Sequence, residues 1–451
     1  MEHEAVWKRL NIKVQSGTKG GYMGKRRILV LLAILMAMPL PAIAGEVTWQ
    51  DCVKEALAGN NSLISAREKL NQARAQSWTA AAAALPQISA SASGSKNGNE
   101  AGLSDVPYTG NVQTQNYSYG LSVRQLVFDG FQNTQDIMKA SEDVKSAEFN
   151  YKIASSQTRY SLKLDYAGLM KAQRFSIITA QIMNLRKKQF GDVTLRYNAG
   201  REDKGAMDNS NADYKESVFE VDQSVRQIEL AKQTLCIALG REIHSDISVR
   251  EDFSITEDLS KEPDFDDLLK NNLNYLLAIS QRKSAEFSFG ASVSSFLPQV
   301  FFSGSVGRGA VALWPRDTSW SLGLNISFSI FDGGKSEAQC SAALAALNQA
   351  KADEKAGADN TLTSLKTVWY ALKDSYTSMG VQQSYLDASV ERAKIADAQY
   401  ATGLIDFNNW TIIQNSLVSS QKAIVSAQAG LLTSEAAWIQ AKGGTLEDET
   451  K

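Results

Sequence analysis

One strand pattern occurs twice in this chain, and it restricts the possible folds more than any other feature. Its copies are Tyr117–Gly130, YSYGLSVRQLVFDG, and Trp320–Gly333, WSLGLNISFSIFDG. In the first, Tyr117, Tyr119, Leu121, Val123 and Val127 share one face, with Ser118, Gly120, Ser122 and Arg124 on the other. In the second, Trp320, Leu322, Leu324, Ile326, Phe328 and Ile330 alternate with Ser321, Gly323, Asn325, Ser327 and Ser329. Alternation with period two predicts a strand. A run of roughly ten residues, aromatic at one end and small-polar on one face, has the length and chemistry of a membrane-spanning β-strand. A half-buried strand of a soluble sheet would read the same way if it stood alone. The duplication and its surroundings favour the membrane reading.

Each copy ends in Phe-Asp-Gly, and a long helical pattern begins there. The residues Phe128, Asp129, Gly130, Phe331, Asp332 and Gly333 are read as structural junctions. Asp caps the helix that starts, Gly allows the sharp exit from the strand, and Phe lies near the membrane interface. Proline is absent from 108 to 262 and from 316 to 451, so uninterrupted helix is permitted over very long distances.

Residues 25–44 read as a secretory signal: Lys25-Arg26-Arg27, an apolar run from Ile28 to Leu40, then Ala42-Ile43-Ala44 as a small-residue cleavage site. Met23 is the natural start on this reading, with an upstream extension before it. Removing residues 1–44 takes away seven basic and two acidic side chains, leaving 40 Lys+Arg against 47 Asp+Glu. A net charge of −7 gives no footprint for nucleic acid. The only histidine after residue 44 is His244, so a histidine-rich metal site or a Ser-His-Asp triad within one repeat is hard to build. No catalytic residue, metal ligand or cofactor site is expected. Three cysteines cannot form a disulfide framework, and whether Cys52 and Cys236 pair is left open.

The order of elements repeats. The first repeat, 45–242, has a helix with a joint at Asn60-Asn61, a β-hairpin at 86–128, a long helix at 131–199 and a return helix at 203–240. An acidic linker, 243–262, leads to the second repeat, 263–443, with a helix, a hairpin at 298–331, a long helix at 334–402 and a return helix at 404–441. A polar tail, 444–451, follows. From Phe128 against Phe331 to Gly200 against Gly403 the offset is a constant 203 residues. Leu162, Leu169, Met183, Phe190 and Tyr197 keep a heptad register, matched by Leu365, Leu372, Leu386, Ala393 and Tyr400, which predicts packing along the whole length of each helix. Each long helix spans about 100 Å at 1.5 Å per residue. The expected fold is α+β: an internally duplicated barrel of long helices with four transmembrane β-strands per chain. Four strands cannot close, and an open edge cannot sit in lipid, so the chain must oligomerise. Two copies give eight strands and three give twelve, enough for a pore lined by the Ser, Gly and Asn face.

The order helix, Leu-Pro-Gln, hairpin, Phe-Asp-Gly, long helix, Tyr-x-x-Gly, return helix, present twice after a signal peptide, resembles the TolC family of bacterial outer-membrane efflux and secretion channels. The resemblance implies a homotrimer with a twelve-stranded β-barrel in the outer membrane and a long periplasmic tunnel. It implies an exit duct for efflux or type I secretion, docked on a periplasmic adaptor and, through it, an inner-membrane transporter driven by protons or by ATP. It also implies adaptor contacts at the helix-turn tips, here Gly200, Gly403, Leu404, Ile405 and Asp406. The second turn keeps the family's Gly-Leu, whereas the first departs with Arg201-Glu202-Asp203-Lys204. At the family's gate positions Ile405 stands in place of an arginine, and Asn409 and Ile412 in place of aspartates. The gate candidates are therefore Tyr197, Asp203, Lys204, Asp208 and Tyr400, although a charged turn is most often simply solvated. A second reading is an envelope structural or adhesive coiled-coil protein without channel activity. The cargo is not written in the sequence.

Overall fold

The computed structural model describes residues 46–98, 113–243, 245–250, 253–311, 313, 314 and 316–450. The export signal, most of the first hairpin loop with Pro107, and His244 and Pro315 lie outside the described residues.

A short strand β1 (Glu46–Val47) leads into α1 (Trp49–Gly59) and α2 (Asn61–Ala82). The hairpin β2 (Gln87–Gly98) and β3 (Gln113–Phe128) follows, then the long helix α3 (Gln132–Asn198) and the return helix α4 (Lys204–Leu239). After β4 (Ser248–Val249), the second repeat runs α5 (Phe265–Asn271), α6 (Leu273–Ser294), β5 (Gln299–Ala310), β6 (Thr318–Ser327), α7 (Lys335–Thr402) and α8 (Phe407–Ala441). The 67 residues of α3 and 68 of α7 each span about 100 Å. Among the described residues no helix is long and apolar enough to cross a membrane.

The joint expected at Asn60 has a double role. Its side chain caps α2 by accepting from the Ser62 and Leu63 amides, and its Nδ2 donates to the Ala238 carbonyl at 2.8 Å. Asn272 does the same in the second repeat, accepting from Asn274 and donating to Ala441 at 2.8 Å. One side chain thus starts a helix and pins it to the end of the return helix.

The main core lies at the level of these joints. Cys52, Val53 and Ala56 of α1 pack with Leu162, Leu169 and Met170 of α3 and with Leu235, Cys236 and Leu239 of α4. A matching cluster in the second repeat holds Phe265, Leu365, Trp369, Leu372, Leu431 and Trp438. Cys52 and Cys236 are free and fully buried in the first cluster, and Cys340 is free and half-buried. Burial pushes the Cys52 thiol up to about 12 and raises Cys236 in the same direction. In the native protein at pH 8, Cys340 alone is expected to react with a thiol reagent, because the thiolate is the nucleophile. Three thiols are expected after denaturation, and fewer would mean a disulfide. The folded protein favours the neutral Cys52 thiol, so this contribution to stability is full below the ordinary value near 9 and lost as pH rises toward 12. A Cys52→Ser variant should show a shallower alkaline decline in melting temperature.

Along α3 the heptad series divides. Leu162 and Leu169 are fully buried, but Met183 and Phe190 are half-buried and Tyr197 is exposed. The buried row beyond Ile178 is Ile182, Arg186, Gln189 and Val193. Two adjacent rows both carry apolar residues, and periodicity alone does not say which one faces the partner helix. On α4 the buried row is Ser210, Ser217 and Ser224, a seven-residue series of small polar side chains that lets α3 and α4 approach closely. Ser224 accepts from Thr179 at 3.3 Å and donates to the Val221 carbonyl at 2.7 Å.

Residues 445–450, which belong to the polar tail of the sequence reading, are docked on the helices. Leu446 is fully buried in the main core, and Glu447–Thr450 form a 3₁₀ turn. The Glu447 carboxylate accepts from Tyr151 at 2.7 Å and Ser155 at 2.5 Å. Glu449 accepts from Trp49 Nε1 at 3.1 Å and from the buried guanidinium of Arg159.

Candidate functional site

The two hairpins form one four-stranded sheet in the order β2-β3-β5-β6, antiparallel throughout, with β3 of the first repeat paired to β5 of the second. Residues paired across strands share a face, so the register sorts the whole sheet. Ala90, Leu121, Val306 and Trp320 align in one row, and Ile88, Val123, Gly304 and Leu322 in the next. On the other face Ser89 and Ser122 are hydrogen bonded at 2.7 Å, as are Ser93 and Ser118, and Ser305 and Ser321 at 2.9 Å. Trp320, Leu322, Leu324 and Ile326 are each more than 60% exposed in the single chain. An apolar band this open, with Lys96 and Arg308 beyond it toward the loop end of the same face and the strand edges of β2 and β6 unpaired, is not stable in water.

At the junctions, Asp129 accepts from the Asn133 amide at 2.8 Å, and Asp332 accepts from the Ser336 amide at 2.9 Å. Gly130 has φ of +69°, and a Cβ there would meet Leu297 Cβ at 2.6 Å. Only glycine fits that exit from the strand. The second hairpin departs from the expected span: β6 ends at Ser327, and Ile330 and Phe331 are almost fully exposed.

At the opposite end of the long helices, Gly200 (φ +70°) and Gly403 (φ +78°) close α3 and α7. The Leu404 amide reaches back to the Gln399 carbonyl and the Gly403 amide to Tyr400, while Arg201 and Gly200 make the equivalent bonds to Arg196 and Tyr197. Both are Schellman stops, which demand a left-handed residue. Asp203 and Asp406 cap the return helices, accepting from Ala206 at 2.8 Å and Asn409 at 2.7 Å.

The structure brings the two turns together through Tyr400. Its ring stacks on Trp410 at 4.4 Å, beside Phe407, and the Arg196 guanidinium lies 4.3 Å from its centroid. Its hydroxyl donates to Glu202 Oε1 at 2.7 Å, and Arg196 donates to the Ala401 carbonyl at 3.0 Å. Burial and the Glu202 carboxylate push the Tyr400 phenol well above its usual range. Of the other gate candidates, Asp203 is a helix cap, while Tyr197, Lys204 and Asp208 are exposed. Leu404 is 75% exposed, and Ile405 packs against the aromatic cluster. Glu202 and Arg196 escaped the sequence reading. The departure of the first turn from apolar residues was the available signal, since it supplies the acceptor for a tyrosine 198 positions away.

A sheet apolar on one face and small-polar on the other, carried on helices about 100 Å long, is the architecture of a β-barrel channel protein with a long helical extension. The model of the outer membrane efflux protein family matches residues 52–215 and 265–444, one segment in each repeat. This chain belongs to that family and is an efflux channel of the outer membrane. Outer membrane protein OprJ of Pseudomonas aeruginosa is 24% identical over 424 residues, covering 88% of this chain and 84% of its own. Outer membrane efflux protein BepC of Brucella suis is 21% identical over 438 residues, covering 93% and 91%. In structure, the VceC outer membrane protein of Vibrio cholerae aligns with a TM-score of 0.74 at 20% identity, over 88% of this chain and 96% of its own. The open state of the Neisseria gonorrhoeae MtrE outer membrane channel aligns with a TM-score of 0.76 at 19% identity, over 89% and 90%.

Proposed function

We infer that three copies of this chain close a twelve-stranded barrel in the outer membrane, and that the helices continue it as a duct through the periplasm. Substrates pass without energy input from a tripartite efflux or type I secretion assembly to the exterior. The observation that carries this reading is the two-faced, two-edged sheet. Its edges β2 and β6 need partners in lipid, its apolar face needs acyl chains, and its serine face suits water. The envelope coiled-coil alternative leaves the apolar face in solvent and is set aside. The test is mass measurement of the detergent-solubilised protein together with conductance in planar bilayers. A monomer, or reconstituted protein without conductance, would overturn it.

The exposed Gly403-Leu404 turn, with Ile405 and Asp406 behind it and Gly200 opposite, is the surface offered to a periplasmic adaptor. A photo-crosslinker at residue 404 should capture that partner in cells. Tyr400 is the latch of the closed tip: its hydroxyl ties the second turn to Glu202 of the first. A hydrogen bond to a charged group contributes about 1.5–3 kcal/mol. Tyr400→Phe keeps the ring stack and removes this bond, so single-channel conductance is expected to rise severalfold. Unchanged conductance would exclude the latch.

A further inference from the structure

The serine face of the sheet carries one charge among the described strand residues, and it is positive. Arg124 lies on that face, paired across strands with Gln87 on one side and Ser303 on the other. Its neighbours there are serine, glycine, asparagine, glutamine and Leu126, together with one ring, Phe301. The guanidinium carbon sits 4.0 Å from the Phe301 centroid, which orients the side chain without neutralising it. No carboxylate among the described residues lies within ion-pair distance of Arg124. Asp129 and Asp332, the acidic residues that follow β3 and β6, accept from the amides of Asn133 and Ser336 and so serve the helix starts. Arg124 stands four residues before the end of β3, at the helical end of the sheet.

We propose that Arg124, repeated in each protomer, forms a cationic ring at the base of the barrel that favours anionic solutes, with Phe301 offering each one an aromatic surface. The solute class this fits is an organic anion, a carboxylate or sulfonate on an apolar body. In a narrow lumen with low-dielectric walls, unpaired charges of one sign raise the local concentration of the opposite ion.

This proposal rests on the channel reading, and its test separates the two. Ser122→Cys places a thiol two residues from Arg124 on the same face, and Leu121→Cys places one on the apolar face. Both are made in a Cys340→Ser background and reconstituted in vesicles, then treated with anionic and cationic methanethiosulfonate reagents. The readout needs only access from the barrel, whatever the state of the tips. With Arg124 present, the anionic reagent should modify residue 122 faster than the cationic one. Arg124→Gln should lower that rate ratio about fivefold, from a unit charge acting at under 10 Å through partly screened water, and Arg124→Glu should invert it. Reactivity at 122 with a ratio indifferent to residue 124 would overturn the cationic ring. Reactivity at 121 in place of 122 would overturn the assignment of faces, and the channel reading with it.

Discussion

Leu324→Arg should abolish assembly in the outer membrane, while Ser321→Arg, three residues away, should be tolerated. Leu324 pairs with Phe302 on the apolar face, and Ser321 pairs with Ser305 on the opposite one. Both stand in the middle of β6 and both are exposed in the single chain, so exposure does not distinguish them. What differs is the solvent each is built for. An arginine facing lipid near the midplane of a β-barrel costs about 2–4 kcal/mol, and a homo-oligomer incurs that cost in every copy. The same residue facing a water-filled lumen costs little. Recovery of the variants in the outer-membrane fraction, with native gel mobility, measures the contrast. Equal behaviour would mean that the faces are assigned wrongly.

Leu446→Ala should destabilise the protein by about 2–5 kcal/mol, as expected for a leucine truncated at a fully buried position. The position looks dispensable in sequence, among polar residues at the end of the chain. In the structure Leu446 fills the core shared by α1, α3 and α4. Its amide donates to Ser155 Oγ at 3.1 Å, and that hydroxyl in turn donates to Glu447. Arg159→Ala tests the polar half of the same dock. Its guanidinium is almost fully buried, with Glu449 as partner and the Trp49 ring 5.9 Å away. Removing one member of such a pair leaves a carboxylate half-desolvated, and breaking a buried pair costs about 3–5 kcal/mol. Thermal unfolding of the two variants in detergent should show lower midpoints for both. A wild-type midpoint for Leu446→Ala would mean that the segment is not docked in solution.

Much of the fold was legible because its signals are local. The strand alternation at Tyr117 and Trp320, the proline-free runs and the glycine stops at 200 and 403 each act within a few residues. The first helix joint was also readable, since Asn60 caps its own helix. The second was not: a single helix is expected there, and the structure breaks it at Asn272 into α5 and α6. The partner surface of α3 was not. Met183, Phe190 and Tyr197 keep a correct heptad spacing, yet the row that packs holds Ile182, Arg186, Gln189 and Val193. Buried arginine and glutamine look like surface residues until their partners are known. Arg186 bonds Gln189 at 3.0 Å and reaches Asn415 and Asp213 on two other helices. The serine row of α4 was hidden for a related reason: its value lies in small volume, which hydropathy does not record.

The tip divides in the same way. Its glycine stops follow from the turn sequence alone, whereas Asp203, a gate candidate in the sequence, and Asp406 are helix caps in the structure. The joining of the two turns by Tyr400, Glu202 and Arg196 does not, because it depends on how the two repeats lie against each other.

By itself the sequence determined the kind of the main elements, the length of the two long helices and the duplication, since backbone hydrogen bonding and side-chain period are settled over neighbouring residues. The tertiary structure alone decided which helix row is buried, that the last residues are docked, and that a glutamate of one repeat holds a tyrosine of the other. Those outcomes join residues some two hundred to three hundred positions apart, and no local pattern encodes which distant surface a side chain will meet.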